Sequence, residues 1–293
     1  MTARRTGALV LLLALVGCDR GDRVAEPELP PSPPVSSSPA PTPPPAATPT
    51  PTPTATAEPG TVPPTWLGTR PLPLRPDGYG QVQPTPPELD PRRFTLPDTV
   101  APLPGDGFAA VVETVPDHVL ARSTWEPACP VAADDLAYVR LAFWGFDDRR
   151  HTGELLLNRA VAGDVVRVFH RLYRARFPFE ELRVTTRSDL EAPPTGDGNN
   201  TGAFVCRPTV GSSTYSQHAY GLAIDIDPFQ NPYVKGDLVL PELASSYLDR
   251  GHVRPGMITP DGVVVRAFAA IGWAWGGTWH SLKDYQHFSQ NGR

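Results

Sequence analysis

Residues 215–228, which read YSQHAYGLAIDIDP, contain a histidine and two aspartates that could take part in metal chemistry. If LAIDIDP forms a β-strand, its side chains alternate, so its leucine and isoleucines would face the core. Asp225 and Asp227 would then share the opposite face, where a carboxylate among apolar neighbours needs a compensating cation or hydrogen bonds. His218 lies just before this strand, and Gly221 allows a tight turn between them. The pattern alone is compatible with a surface loop entering a strand and with half of a metal site.

The C-terminus supplies further residues of the same kind, since GWAWGGTWHSLKDYQHF places Asp284 three residues before His287. Together, SQHAYGLAID and WGGTW…KDYQHF resemble the zinc D-Ala-D-Ala carboxypeptidase and L-alanyl-D-glutamate peptidase family. The hallmark of that family is S-x-H-x-x-G-x-A-x-D followed later by a histidine. The chain carries the whole hallmark, and the resemblance covers about residues 130–293. The matching residues are Ser216, His218, Gly221, Ala223, Asp225 and His287.

This resemblance implies that His218, Asp225 and His287 bind a zinc ion. Two imidazoles and one carboxylate leave a fourth tetrahedral position for water, which is typical of a catalytic zinc site. Zinc would lower the pKa of that water and polarise the scissile carbonyl. Asp227 is the rival third ligand, because it would share the face of Asp225.

Asp284 falls at the position of the family's general base, which takes a proton from water and passes it to the leaving amine. Many members carry glutamate there, and aspartate is shorter by one methylene. In a continuous strand Asp284 and His287 would point to opposite faces. We therefore expect a turn at Lys283–Gln286.

Peptidases of this family bind substrate carboxylates, so we expect a cationic side chain in the cleft. Arg207 is the first candidate and Arg187 the second. Ser216 resembles a substrate-contacting position of the family, although it could equally cap the loop before the strand. Trp273, Trp275 and Trp279 could wall the cleft or pack in the core. The remaining histidines fit no part of the pattern, and only His280 lies near the C-terminal motif.

The elements that would position these residues alternate irregularly, which indicates an α+β domain. We predict a strand at 154–158, a helix at 160–176 with one apolar face, a strand at 181–186 and a helix at 263–273. The family resemblance further implies a single Hedgehog/DD-peptidase-like domain with a central antiparallel sheet.

The N-terminus indicates export. Residues 1–18 combine a short basic start, an apolar run too short to span a bilayer and a lipobox-like ending at Cys18. We interpret this as a lipoprotein signal peptide with Cys18 lipidated; a cleaved secretory signal or an uncleaved anchor is the alternative. Residues 19–91 read as a Pro/Thr-rich disordered linker, whose part from residue 19 to about residue 64 could reach on the order of 150 Å when extended. Residues 65–91 gain aromatic and leucine residues and should lie partly against the peptidase domain, predicted at 92–293.

The predicted export of the protein and its net charge limit the partners that it can bind. In an exported protein, Cys129 and Cys206 form an even pair that we predict to be a disulfide, the alternative being two buried thiols. The net charge of −5 gives no footprint for nucleic acid. We expect a monomer, anchored by lipid to the cell membrane and facing the periplasm or cell wall.

The resemblance implies that it hydrolyses peptidoglycan stem peptides as a D,D-carboxypeptidase or an L-Ala-D-Glu-type endopeptidase. The alternative is a non-catalytic peptidoglycan-binding lipoprotein that retains the fold.

Overall fold

The computed structural model describes residues 58–209 and 213–293. These residues form a mixed α/β unit with four α-helices and several small sheets. The helices are α1 (Asp117–Arg122), α2 (Arg159–Arg174), α3 (Arg187–Glu191) and α4 (Val263–Ala269). No helix in these ranges is both long and apolar enough to span a lipid bilayer. The predicted signal peptide, Cys18 and the first part of the predicted linker lie outside the described residues.

The strands divide into a four-stranded, two three-stranded and one two-stranded sheet, rather than the one central antiparallel sheet that we expected. The first sheet contains β1 (Ala110–Thr114), β2 (Leu136–Gly145), β3 (Arg150–Asn158) and β4 (Pro178–Phe179). The short pair contains β5 (Glu181–Leu182) and β6 (Asn200–Thr201). The remaining strands are β7 (Ala223–Asp225), β8 (Tyr233–Lys235), β9 (Leu238–Leu240), β10 (Ala274–Trp275), β11 (Lys283–Asp284) and β12 (His287–Ser289).

Two three-stranded sheets carry the predicted site. One has the antiparallel order β10-β12-β7, and the other has the antiparallel order β11-β8-β9. In the four-stranded sheet β1, β2 and β3 are antiparallel, whereas β4 runs parallel to β2. The strands β7 to β12 form separate small sheets because each of them is short, with no more than three residues.

Helix α2 packs its apolar face into the main core, as its periodicity predicts. Val161, Val165, Val168, Phe169 and Leu172 are all buried. The side chain of Asn158 caps the helix start by accepting from the backbone nitrogen of Ala160 at 3.1 Å. The predicted strand at 154–158 is the second half of β3, which pairs over its whole length with β2. This sheet and α2 form the support for the smaller sheets.

Two predicted elements are shorter in the structure, for identifiable reasons. The strand expected at 181–186 ends at Leu182, because Arg183 donates its backbone nitrogen to the side chain of Asn200 and Thr186 caps α3. The helix expected at 263–273 ends at Ala269, and Gly272 adopts a left-handed φ of 81°. Side-chain capping and a glycine turn therefore replace backbone pairing at these ends.

The described part of the predicted linker, residues 58–91, is folded onto the domain. Leu72 and Leu89 are buried, and the backbone nitrogen of Leu72 donates to Pro194 at 2.8 Å. Directly after this segment, Arg92 is 1% exposed and makes a paired contact with the carboxylate of Glu180. Apolar side chains scattered among the prolines of residues 65–91 thus bury themselves against distant parts of the chain.

Candidate active site

His218, Asp225 and His287 converge at one point. Their potential ligand atoms all lie within 4.8 Å of one another. An oxygen of Asp225 is 3.3 Å from Nε2 of His218, and the other oxygen is 3.0 Å from Nδ1 of His287. Strands β7 and β12 position two of the three side chains, because β12 pairs with β7 in a register that sets His287 opposite Asp225.

A short helical turn delivers His218 to the same point. Residues Gln217–Tyr220 form a single 3-10 turn, and Ser216 caps it by accepting from the backbone nitrogen of His218 at 3.3 Å. Gly221 then reverses the chain with a φ of 68°. A Cβ at this glycine would lie 2.4 Å from the backbone nitrogen of Asn158. The hallmark glycine is thus required both by its conformation and by its close approach to β3.

Backbone oxygens orient both imidazoles. Nδ1 of His218 lies 2.5 Å from the carbonyl oxygen of Ala203, and Nε2 of His287 lies 3.2 Å from the backbone oxygen of Arg293. When each of these nitrogens donates its proton outward, the other ring nitrogen presents a lone pair to the centre. Two lone pairs and a carboxylate facing each other at about 3 Å form a donor set that fits a zinc ion.

Asp225 is held as a carboxylate. Burial acts to raise its pKa, but the adjacent imidazoles of His218 and His287 outweigh this effect and keep the pKa well below its usual range. Asp225 therefore carries negative charge into the centre of the three side chains.

Asp227 does not share the face of Asp225, so that part of the alternation argument is wrong. Strand β7 ends at Asp225, and Asp227 has a positive φ of 40° that turns its side chain away. Its carboxylate is completely buried and accepts from the backbone nitrogen of Glu180 at 3.3 Å. Burial raises its pKa well above the usual range. The structure thus groups Asp225, and not Asp227, with the two histidines.

Asp284 lies in the same cleft, at the end of β11. The chain bends at Tyr285 and Gln286 before β12 begins, which confirms the expected turn. Burial raises the pKa of Asp284 to about 7, with a further contribution from the negative charge of Asp225. Its Oδ1 atom is buried and has no hydrogen-bond partner among the described residues. A carboxyl group with this pKa and a free oxygen is suited to accept and release a proton near neutral pH.

A cavity of about 530 Å³ contains these four side chains and two of the predicted substrate-contacting residues, Arg207 and Ser216. Arg187 does not line it and instead lies 3.6 Å from a carboxylate oxygen of Glu126. Of the two predicted cations, Arg207 lines the cleft and Arg187 does not.

The C-terminal tryptophans divide between the two expected roles. Trp273 and Trp275 are buried in the main core, whereas Trp279 lines the cavity with its ring centre 5.5 Å from that of His287. His280 is exposed and does not line the cavity.

A disulfide between Cys129 and Cys206 lies beside the cleft, which confirms the predicted pairing of these two cysteines. It joins residues 77 positions apart, and Arg207 follows immediately. The backbone nitrogen of Cys206 also donates to Thr124 at 2.9 Å. The hydroxyl of Tyr215, on the opposite side of the same loop, donates to the carbonyl of Ala128 at 2.9 Å. The wall that carries Arg207 is therefore tied to residues 124–129.

Sequence reasoning did not find two tyrosines that line the cavity, Tyr79 and Tyr233. Tyr233 lies on β8, opposite Asp284 on β11. Tyr79 comes from the predicted linker. The only sequence signal for it is the gain of aromatic and leucine residues among the prolines of residues 65–91.

The geometry agrees with the comparison to known families. Residues 210–290 match the family model described as D-alanyl-D-alanine carboxypeptidase. The match confirms the predicted family. The matched range contains the three converging side chains and Asp284. No curated protein and no solved structure matches the chain.

Proposed function

We propose that this protein is a zinc-dependent peptidase that hydrolyses peptide bonds in peptidoglycan stem peptides. The observation that carries the proposal is the convergence of His218, Asp225 and His287 beside a buried carboxyl group, within the range that matches the carboxypeptidase family.

The donor set supports zinc in particular. His218, through Nε2, His287, through Nδ1, and one oxygen of Asp225 would hold the ion. Two imidazoles and one carboxylate are the protein ligands typical of catalytic zinc in peptidases. When bound, zinc supplies a Lewis acid for the scissile carbonyl and lowers the pKa of a water molecule.

Asp284 has the role of proton carrier. Its carboxylate accepts the proton of the attacking water and releases it to the amine of the departing fragment. Burial and the negative charge of Asp225 raise the pKa of Asp284 towards neutrality, which favours a carboxyl group that both accepts and releases a proton. No covalent bond between enzyme and substrate is needed.

Arg207 and Ser216 would bind the substrate at the cleft. The guanidinium of Arg207 donates only to the carbonyl of Pro208 and pairs with no carboxylate among the described residues. It is thus free to bind an anionic group of the peptide. The hydroxyl of Ser216 accepts from the backbone of His218, and its proton remains free for a substrate oxygen.

The proposal includes the cellular location. A lipid on Cys18 and a proline-rich tether would attach a monomeric domain to the cell membrane, exported and facing the periplasm or cell wall. We further propose that the domain is related to the Hedgehog/DD-peptidase fold. The support is the family match together with the small antiparallel sheet that carries Asp225 and His287.

The test is to purify the full chain, measure its bound metal and follow digestion of defined muropeptides by mass spectrometry. We expect about one zinc ion per chain and a shortened stem peptide, with both metal and activity lost in His287→Ala. His280→Ala is the matched control, since this exposed histidine lies outside the cleft. Absence of zinc from the wild-type protein would overturn the metal assignment. Binding of muropeptides without any cleavage would favour a non-catalytic peptidoglycan-binding protein.

A further inference from the structure

Residues 72–83, which we term the N-terminal strap, reach the active-site cleft through Tyr79. The strap precedes the range that matches the family model by more than 120 residues. It folds back on itself, since Leu74 bridges to Gly80 and the backbone nitrogen of Arg75 donates to Tyr79 at 2.7 Å. This local turn has residues 76–78 at its tip, and Tyr79 follows directly after them.

Contacts at both ends of this turn hold the strap in place. The guanidinium of Arg75 lies 3.2 Å from the carboxylate of Asp237, which follows β8. The backbone nitrogen of Gly80 donates at 2.8 Å to the buried carboxylate of Glu242. A Cβ at Gly80 would lie 2.8 Å from the same carboxylate, so the strap is closely packed there. Tyr79 is therefore presented by an ordered, preorganised segment.

The side chain of Tyr79 lies in the same cavity as the candidate catalytic residues. Its side chain lines the cavity together with Arg207, Asp284 and the three converging residues. The hydroxyl makes no hydrogen bond within residues 58–209 and 213–293, although the residue is only partly exposed. Burial raises the pKa of the phenol, and the positive charge of Arg207 acts against this rise. A protonated phenol without a partner is an available hydrogen-bond donor.

We infer that Tyr79 is a substrate-contacting residue that determines specificity: with Arg207 it binds the free C-terminal carboxylate of the peptide. Arg207 supplies the positive charge and Tyr79 a second donor, so that both oxygens of one carboxylate are bound. The strap is then part of the active site, and the cleft is built from two distant segments of the chain. This inference rests on the proposed function, since it names the peptide end that the same cleft selects.

The test compares two acetylated pentapeptides ending in D-Ala-D-Ala, one with a free C-terminal carboxylate and one with a C-terminal amide. The full-length zinc-loaded protein is assayed as wild type, as Tyr79→Phe and as Tyr173→Phe. For the free carboxylate, we expect Tyr79→Phe to raise KM about tenfold with little change in kcat, as for loss of one hydrogen bond to a charged group. For the amide, Tyr79→Phe should match the wild type. Tyr173→Phe is the control, because this hydroxyl bonds Asp106 on the surface, away from the cleft.

Calorimetric binding of both peptides to Asp284→Asn and to Asp284→Asn/Tyr79→Phe gives a readout that needs no turnover. If the wild type cleaves neither peptide, the proposed peptidase activity fails, and the binding data still decide the role of Tyr79. A tenfold weaker binding confined to the free carboxylate supports the inference. Equal binding of acid and amide by Asp284→Asn, or an equal loss for both peptides on removing the hydroxyl, overturns it.

Discussion

Asp225 and His287 face each other across two antiparallel strands, with a carboxylate oxygen 3.0 Å from Nδ1 of the imidazole. The pair is separated by 62 residues in sequence, and the backbone register places the two residues opposite each other. His218 approaches from a helical turn and therefore depends on a different local structure. The candidate metal centre is consequently sensitive to the turn at Gly221 as well as to the sheet.

Substitution of Gly221 by alanine should damage both folding and metal binding. The new Cβ would meet the backbone of Asn158, and alanine is strained at a φ of 68°. We expect a loss of more than about 2 kcal/mol in the free energy of unfolding, together with weaker zinc binding. Urea denaturation and zinc titration measure the two effects. Gly163→Ala is the matched control, since its Cβ meets open space on α2 and should stabilise by about 0.5–1 kcal/mol. Similar behaviour of the two variants would contradict this account.

Loss of the Asp284 carboxylate should remove catalysis without removing the metal. We expect Asp284→Ala to lower kcat about 100- to 10,000-fold while zinc content stays unchanged. The folded protein should not become less stable, because a buried carboxylate with an unpartnered oxygen is replaced by an apolar group. Turnover of muropeptides, metal analysis and thermal unfolding test the three statements. Activity equal to the wild type would exclude Asp284 as the proton carrier.

Reduction of the disulfide should affect the wall of the cleft as well as stability. Cross-linking residues 77 positions apart restricts the unfolded chain, so Cys129→Ser/Cys206→Ser should lose about 2–4 kcal/mol. Because Arg207 follows Cys206, we also expect KM to rise for peptide substrates. Denaturation and kinetics with and without reductant measure these effects. The double variant serves as the control, since a reductant should change the wild type and leave the variant unaffected.

The hydrogen bonds of His151, a residue outside the active site, predict that the stability of the folded protein depends on pH. Hydrogen bonding to Asp98 at 2.8 Å and to Asp147 at 3.1 Å raises the pKa of the imidazole above its usual range, against the effect of burial. The folded state therefore binds the proton more tightly than the unfolded state. The contribution is complete below about pH 6.5 and is lost as the pH rises through the folded-state pKa.

The variant His151→Gln measures this contribution. We expect its destabilisation relative to the wild type to be larger at about pH 5.5 than at about pH 9, by less than about 1 kcal/mol. Urea denaturation of both proteins at the two pH values provides the comparison. A larger destabilisation of His151→Gln at about pH 9 than at about pH 5.5 would contradict the predicted direction of the pH dependence.

Several features were predictable because short-range rules decide them. The apolar periodicity of α2, the glycine turn before β7 and the bend between Asp284 and His287 all follow from local geometry. The strand predicted at 181–186 failed where side chains from elsewhere replaced strand pairing, as Asn200 does for the backbone of Arg183. Local propensity is too weak to compete with such contacts.

The contacts that residues 58–91 make with the rest of the chain could not be predicted, for the same kind of reason. Proline-rich composition indicates an extended chain, and residues 58–91 indeed contain few regular elements. Their order comes instead from long-range contacts, such as the bond between the backbone of Gly80 and Glu242. Composition contains no information about such partners, which lie more than 150 residues away.

The sequence by itself determined the types and spacing of the residues that could bind zinc, because His218, Asp225 and His287 belong to a recognisable pattern. Strand alternation alone left Asp225 and Asp227 equivalent, and only the family resemblance favoured Asp225. The tertiary structure shows the physical difference between them, since Asp227 has a positive φ and its carboxyl group is buried against Glu180 and Thr201. It likewise brought Tyr79 to the cleft. Both outcomes depend on contacts between segments that are distant in sequence. Such contacts form, and contribute free energy, only when the chain folds.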